Sequence, residues 1–227
     1  MSLLPLALSA HASGWNPVGA PDGTGGQHPG LDASCRFCGF DAAGWQEPFH
    51  LDGDHANAAL DNIAAACPLC HLCQHMDRPT IPGEAVLIWL PEVSQGAVIA
   101  LARRIHLVLR AHDEPPHMER GRPVRSDAPL KAAWAAQLAL RERARLAEQR
   151  LGTSSPLDFA AALLGLSPAA RKRGAALLQG LRLLPLGHFY QGRTDVYPTM
   201  LDAWASAAPP ATPSVPAGHP GRPAMSP

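Results

Sequence analysis

The sequence predicts an α+β protein in which a small ββα unit, clamped by four cysteines, is embedded in a mostly helical domain. Three observations carry that expectation. Cys35 and Cys38 in CRFCGF, with Cys67 and Cys70 in CPLCH, make two C-x-x-C pairs. The stretch between them holds a turn centred on Gly53 and then an apolar run leading into the second pair. Beyond it, apolar residues recur at helical spacing in segments opened by Ser or Asp and closed by Gly.

The paired knuckles read as a tetrahedral zinc site, because each presents two thiolates from one tight turn and Zn²⁺ takes four ligands at about 2.3 Å. Four protein thiolates close the coordination sphere, so the expected cofactor is one structural ion with no position left for water. Within CPLCHLCQH, Cys73, His71 and His75 compete for the second pair of ligands. Cys67 with Cys70 is preferred because it completes the knuckles symmetrically. His71 and His75, four apart, would share a helix face as zinc ligands do, yet a single ion is expected. Asp54 and His55, near the turn, can be read as metal or acid–base residues, but Asp-Gly-Asp is more often plain turn chemistry.

Composition narrows the partners. At 227 residues and 46% hydrophobic the chain can build a real core. Lys plus Arg equal Asp plus Glu at 19 each. That balance provides no long-range field for phosphates and counts against a dedicated nucleic-acid binder. Five cysteines, an odd number and mostly knuckled, point to a reducing compartment. The opening MSLLPLALSAHAS has no basic residue before its short apolar part, which Pro5 interrupts, so it reads as a strand or short buried segment. Apolar stretches fall short of the ~20 residues that a membrane span needs, so no direct membrane insertion is expected.

In chain order, residues 1–34 are an N-terminal strand and Gly/Pro-rich linker, 35–78 the zinc-binding core, 79–206 a mainly helical remainder of the same domain, and 207–227 a disordered tail. Trp45 and Phe49 are candidate core residues of two short strands. ALDNIAAAC favours a helix starting near Asp61 or Asn62 with Ile63 inward. AVLIWLPEV is a buried strand. Ser94 caps an amphipathic helix whose apolar positions are Val98, Leu101, Ile105, Val108 and Leu109, with Arg103, Arg104 and Arg110 on other faces. DEPPHMERGRPVRSDAP is an exposed loop. Asp127 and Pro129 open a helix running to about Leu151, Ser155 and Ser167 open two more, RLLPLGHFY is an apolar connector, and a last helix carries Met200, Leu201 and Trp204.

The segment FHLDGDHANAALDNIAAACPLCH resembles the HNH endonuclease motif. The resemblance implies His50 as general base, Asn62 as orienting residue and His71 as last metal ligand, and it sets Phe49 where the other metal ligand belongs. Phenylalanine cannot coordinate a cation. The resemblance therefore implies an HNH-like scaffold kept for its shape, with no catalytic residues; the alternative is an HNH-type metal-dependent DNA endonuclease using His50, Asn62 and His71. A second resemblance runs from about Cys35 to Trp204. CRFCGF, HLDGDHANAALDNIAAACPLC, LIWLPEV, LGTSSPLDFAAALL and LRLLPLGHFY, in this order, are similar to the IcmJ/DotN family of type IVB (Dot/Icm-like) secretion and related conjugation systems. That family implies a cytoplasmic, non-enzymatic adaptor, peripheral to the inner membrane. Its implied partners are the C-terminal region of the coupling ATPase and other coupling-complex subunits, and its implied task is to help recruit substrates.

Overall fold

The computed structural model describes residues 2–10, 34–42, 44–117, 127–167, 169–170 and 178–207. The Gly/Pro-rich linker, most of the loop after Asp113, the centre of the helix expected after Ser167 and the tail lie outside these residues. In the described part, small antiparallel strand pairs are set among helices, as an α+β class requires.

The first pair is β1 (Glu47–His50) with β2 (Ile63–Ala66), in register Glu47↔Ala66 to His50↔Ile63. β2 is where a helix was expected. The alanines favour helix only weakly over four residues, and a nucleus that short gains little. Pairing with β1 satisfies the same backbone groups and buries Ala64, Ala65 and Ala66. The turn of helix begins only after Cys67, where Pro68 occupies the first helical position of α1 (Pro68–His71).

After α2 (Ile81–Glu84) comes β3 (Ala85–Trp89), which pairs with β4 (Leu181–Pro185) from Ala85↔Pro185 to Trp89↔Leu181. The expected apolar connector is thus a strand. Its burial at every position but Arg182, and the matching apolar residues of β3, make the two strands partners along their whole length. A third pair, β5 (Tyr190–Gln191) and β6 (Thr194–Asp195), makes a short hairpin.

The helices are α3 (Gln95–Ala111), α4 (Ala128–Glu142), α5 (Ala144–Leu151), α6 (Pro156–Gly165) and α7 (Tyr197–Ala207). Ser94 accepts a 3.3 Å hydrogen bond from the Ala97 N–H, as a cap should. The single helix expected between Asp127 and Leu151 is two that meet at Arg143, whose carbonyl accepts a 3.2 Å bond from the Trp89 N–H of β3 as well as bonds from the Leu146 and Ala147 N–H groups of α5. Gly152, at φ 79°, ends α5 in the left-handed conformation that glycine tolerates. On α3, Leu101 is exposed rather than inward, and Ile99 and Ala102 take the core face with Val98, Ile105 and Leu109.

The thiols belong to the main core. Cys35, Cys67 and Cys70 form one buried cluster with Leu69, Leu87, Ile99, Leu183, Tyr197 and Trp204. The N-terminal segment joins it without becoming a strand: the Leu4 N–H bonds the Arg36 carbonyl at 2.8 Å and the Ser9 N–H the Cys73 carbonyl at 2.9 Å. Gly96, in the first turn of α3, lies against the backbone of Phe37, where a β-carbon would collide with the Phe37 carbonyl. We expect Gly96→Ala to lower folding stability by about 1–3 kcal/mol in denaturant titration, since rigid backbone must move apart to admit the methyl group. An unchanged midpoint would show that this approach is not tight.

Candidate metal centre

The first knuckle is a backbone turn. The Gly39 N–H donates to the Cys35 carbonyl and the Cys35 N–H to the Phe40 carbonyl, both at 2.8 Å, with Gly39 at φ 72°. An N–H to carbonyl bond from Arg36 to Ala65, at 2.8 Å, ties the knuckle to β2. The second knuckle is the start of α1, where the N–H groups of Cys70 and His71 both donate to the Cys67 carbonyl at 3.0 Å. Two local turns, held to one strand, thus bring four sulfurs to one point.

The Sγ atoms of Cys35, Cys38, Cys67 and Cys70 lie within 4.8 Å of one another, and Cys38 and Cys67 are 3.7 Å apart. A tetrahedron with Zn–S bonds of about 2.3 Å has edges of roughly 3.8 Å, whereas a disulfide would bring two sulfurs to about 2.05 Å. All four cysteines are free. The donor set fits a four-coordinate thiolate site for a soft or borderline cation.

The charges agree with such a use. Hydrogen bonds from Cys35, Cys67 and Cys70 hold the Cys38 thiol far below its ordinary value, and the Arg103 charge adds to this. Burial, followed by bonding to the other three, pushes Cys70 well up. Cys35 is also lowered, to about 7, so the first knuckle is the more readily ionised of the two, and a bound cation would favour the thiolate form of the second.

Arg103 was expected on a face of α3 other than its apolar one. It is buried instead, stacked 3.6 Å over the Phe40 ring, with Nη1 3.5 Å from Cys38 Sγ. Its position one turn beyond the helix face touching the knuckle is invisible to periodicity, which reads any arginine as solvated. Glu47 was missed for the same reason. Cys73 is buried with its Sγ 3.9 Å from the Leu69 carbonyl, outside the four-sulfur group.

The HNH-like positions lie on β1, at the end of the β1–β2 loop and on α1. Phe49 is buried, its ring 4.5 Å from that of Phe37 and 5.7 Å from that of His71. His50 ends β1, its pKa lowered by burial first and by His71 second. Asn62 faces the β1–β2 loop: its Nδ2 donates to Asp52 Oδ1 at 2.9 Å and to the Asn57 carbonyl at 3.0 Å, while its Oδ1 accepts from the Asp52 N–H. His71 is buried, with Nδ1 2.7 Å from Glu47 Oε2 and Nε2 3.1 Å from His75 Nε2. His55, expected to be turn chemistry, comes within the same group: one ligand atom each of His55, His71 and His75 lies within 4.8 Å of the others.

No family model matches the chain. Over 157 residues it is 27% identical to the Type 4 apparatus protein DotN of Legionella pneumophila subsp. pneumophila, strain Philadelphia 1. That similarity supports the resemblance to the DotN/IcmJ family. The match covers 67% of this chain and 66% of DotN, so the chain spans just under two thirds of that relative's length. Among the described residues of this chain, no helix is long and apolar enough to cross a membrane.

Arg103→Gln removes the full charge beside Cys38 while leaving α3 intact. We expect metal affinity at the sulfur cluster to fall about 10–100-fold in a competition titration with a chromophoric chelator. Equal affinity in the two proteins would deny Arg103 any part in the site.

Proposed function

We propose that this chain is a non-enzymatic adaptor subunit of a type IVB secretion, or related conjugation, coupling complex. A structural zinc ion held by Cys35, Cys38, Cys67 and Cys70 stabilises it. It docks on the C-terminal region of the coupling ATPase and helps recruit substrates, working in the cytoplasm at the inner membrane through its partners. The observation that carries this reading is the similarity to a type 4 apparatus protein over two thirds of the chain. The rest is compatible with it. Zero net charge suits protein docking better than phosphate binding, and residues 35–78 have the strand, strand, short-helix order of an HNH-like core. In that core the aromatic ring of Phe49 stands where a nuclease would need a ligand. Closed thiolate coordination supplies folding energy, on the order of 10 kcal/mol for a small zinc module, and no Lewis acid.

A metal-dependent DNA endonuclease is the second reading, favoured by the imidazoles beside His50: the His50 and His55 ring centroids are 4.8 Å apart, and those of His55 and His75 5.0 Å. On that reading His50 would be the base, and Asn62 and His71 would support it.

Co-purification decides between the readings. The full chain should be retained by the cognate coupling ATPase and lost when the ATPase lacks its C-terminal region, and it should leave plasmid DNA intact in Mg²⁺ or Mn²⁺. Failure to bind the intact ATPase would overturn the adaptor reading. Plasmid nicking that disappears in His50→Ala would establish the nuclease.

A further inference from the structure

The expected metal content was one ion. We propose that His55, His71 and His75 form a second site, for a divalent transition cation bound by three imidazole nitrogens.

The geometry matches that coordination. Nitrogen ligands at about 2.0–2.1 Å from a tetrahedral ion stand roughly 3.3 Å from each other. His71 Nε2 and His75 Nε2 are 3.1 Å apart, and His55 brings a third nitrogen within 4.8 Å of both. A hydrogen bond between two imidazoles would account for the pair; it does not account for the third ring converging on it. The orientation of His71 has its own support. Its Nδ1 stands 2.7 Å from a Glu47 carboxylate oxygen, with both side chains buried, so Nδ1 carries the proton and Nε2 directs its lone pair toward His75. Carboxylate behind histidine in front of metal is the usual outer arrangement of such sites.

The three ligands arrive on different pieces of chain. His71 ends α1, His75 closes the 3₁₀ turn that follows (Leu72–Gln74), and His55 comes from the β1–β2 loop. That loop is preset by Asp52, which accepts from Asn57 Nδ2 at 2.7 Å and Asn62 Nδ2 at 2.9 Å. A bound ion would clip the loop to the segment carrying the second knuckle.

The donors define the ion. Three neutral nitrogens without a carboxylate oxygen suit Zn²⁺, Co²⁺, Ni²⁺ or Cu²⁺, and offer little to Mg²⁺ or Ca²⁺, which take oxygen ligands. Three protein ligands leave a fourth position for water or an added small ligand. The site shares His71 with the position that the HNH resemblance gives to a catalytic ion, and takes its other nitrogens from His55 and His75, since Phe49 contributes no donor. It stands or falls independently of docking on an ATPase.

Stepwise Co²⁺ loading of the purified full chain tests it. The expected result is two equivalents per chain. One brings the intense thiolate-to-cobalt charge-transfer band, and the other brings only weak visible d–d absorption. His55→Ala and His75→Gln should each keep the charge-transfer band and lose the nitrogen-type equivalent. Glu47→Gln should weaken that equivalent about 10–100-fold and leave the sulfur site unchanged. Saturation of the wild-type chain at one equivalent would overturn the proposal, as would a second equivalent with thiolate charge transfer or histidine variants that still bind two.

Discussion

Four sulfurs converging within 4.8 Å impose the constraint on which the rest of the molecule is built. Two thiolates 3.7 Å apart repel by about 4 kcal/mol at an effective dielectric constant of 20, so four ionised cysteines cannot share this space alone. Protonated, they would fill the centre of the core with weak donors. A divalent cation resolves the conflict, and Arg103 offsets part of the negative charge that remains. The cluster is continuous with Leu87, Ile99, Leu183 and Trp204, whereas Ile88, Val98 and Leu184, and Ile105, Leu109 and Leu130 where α3 meets α4, form two smaller clusters of their own.

From that point the fold extends by ordinary means. The knuckles fix the β1–β2 pair, which fixes the loop carrying His55. α3 abuts the first knuckle through Gly96 and delivers Arg103 to it. β4 returns from the far end of the chain to pair with β3 and closes the core from the other side. Trp204 of α7 donates its indole N–H to the Ala42 carbonyl, 3.1 Å away, near the first knuckle.

What could be read in advance follows a physical division. Spacing made the C-x-x-C pairs, the Ser94 and Ser155 caps and the apolar face of α7 legible, because each depends on neighbours in the sequence. Non-local pairing was not legible. Ile63–Ala66 is a strand only because β1 lies beside it, and Leu181–Pro185 only because β3 does. The break at Arg143 falls where its carbonyl meets the Trp89 N–H of β3, a contact between residues far apart in sequence. Arg103, Glu47 and His55 share that character: each has an unremarkable local sequence, and each gains its role from a residue brought to it by the fold. Phe49 was the exception, since its inability to bind a cation is a property of the side chain alone.

The central claim is that one cation sits among Cys35, Cys38, Cys67 and Cys70 and organises the core. An anomalous-difference map recorded across the zinc absorption edge from crystals of the full chain tests it most directly. The account predicts a strong peak about 2.3 Å from each of the four Sγ atoms, present above the edge and absent below it. A map with no peak there, or density showing the cysteines joined in disulfides, would contradict it.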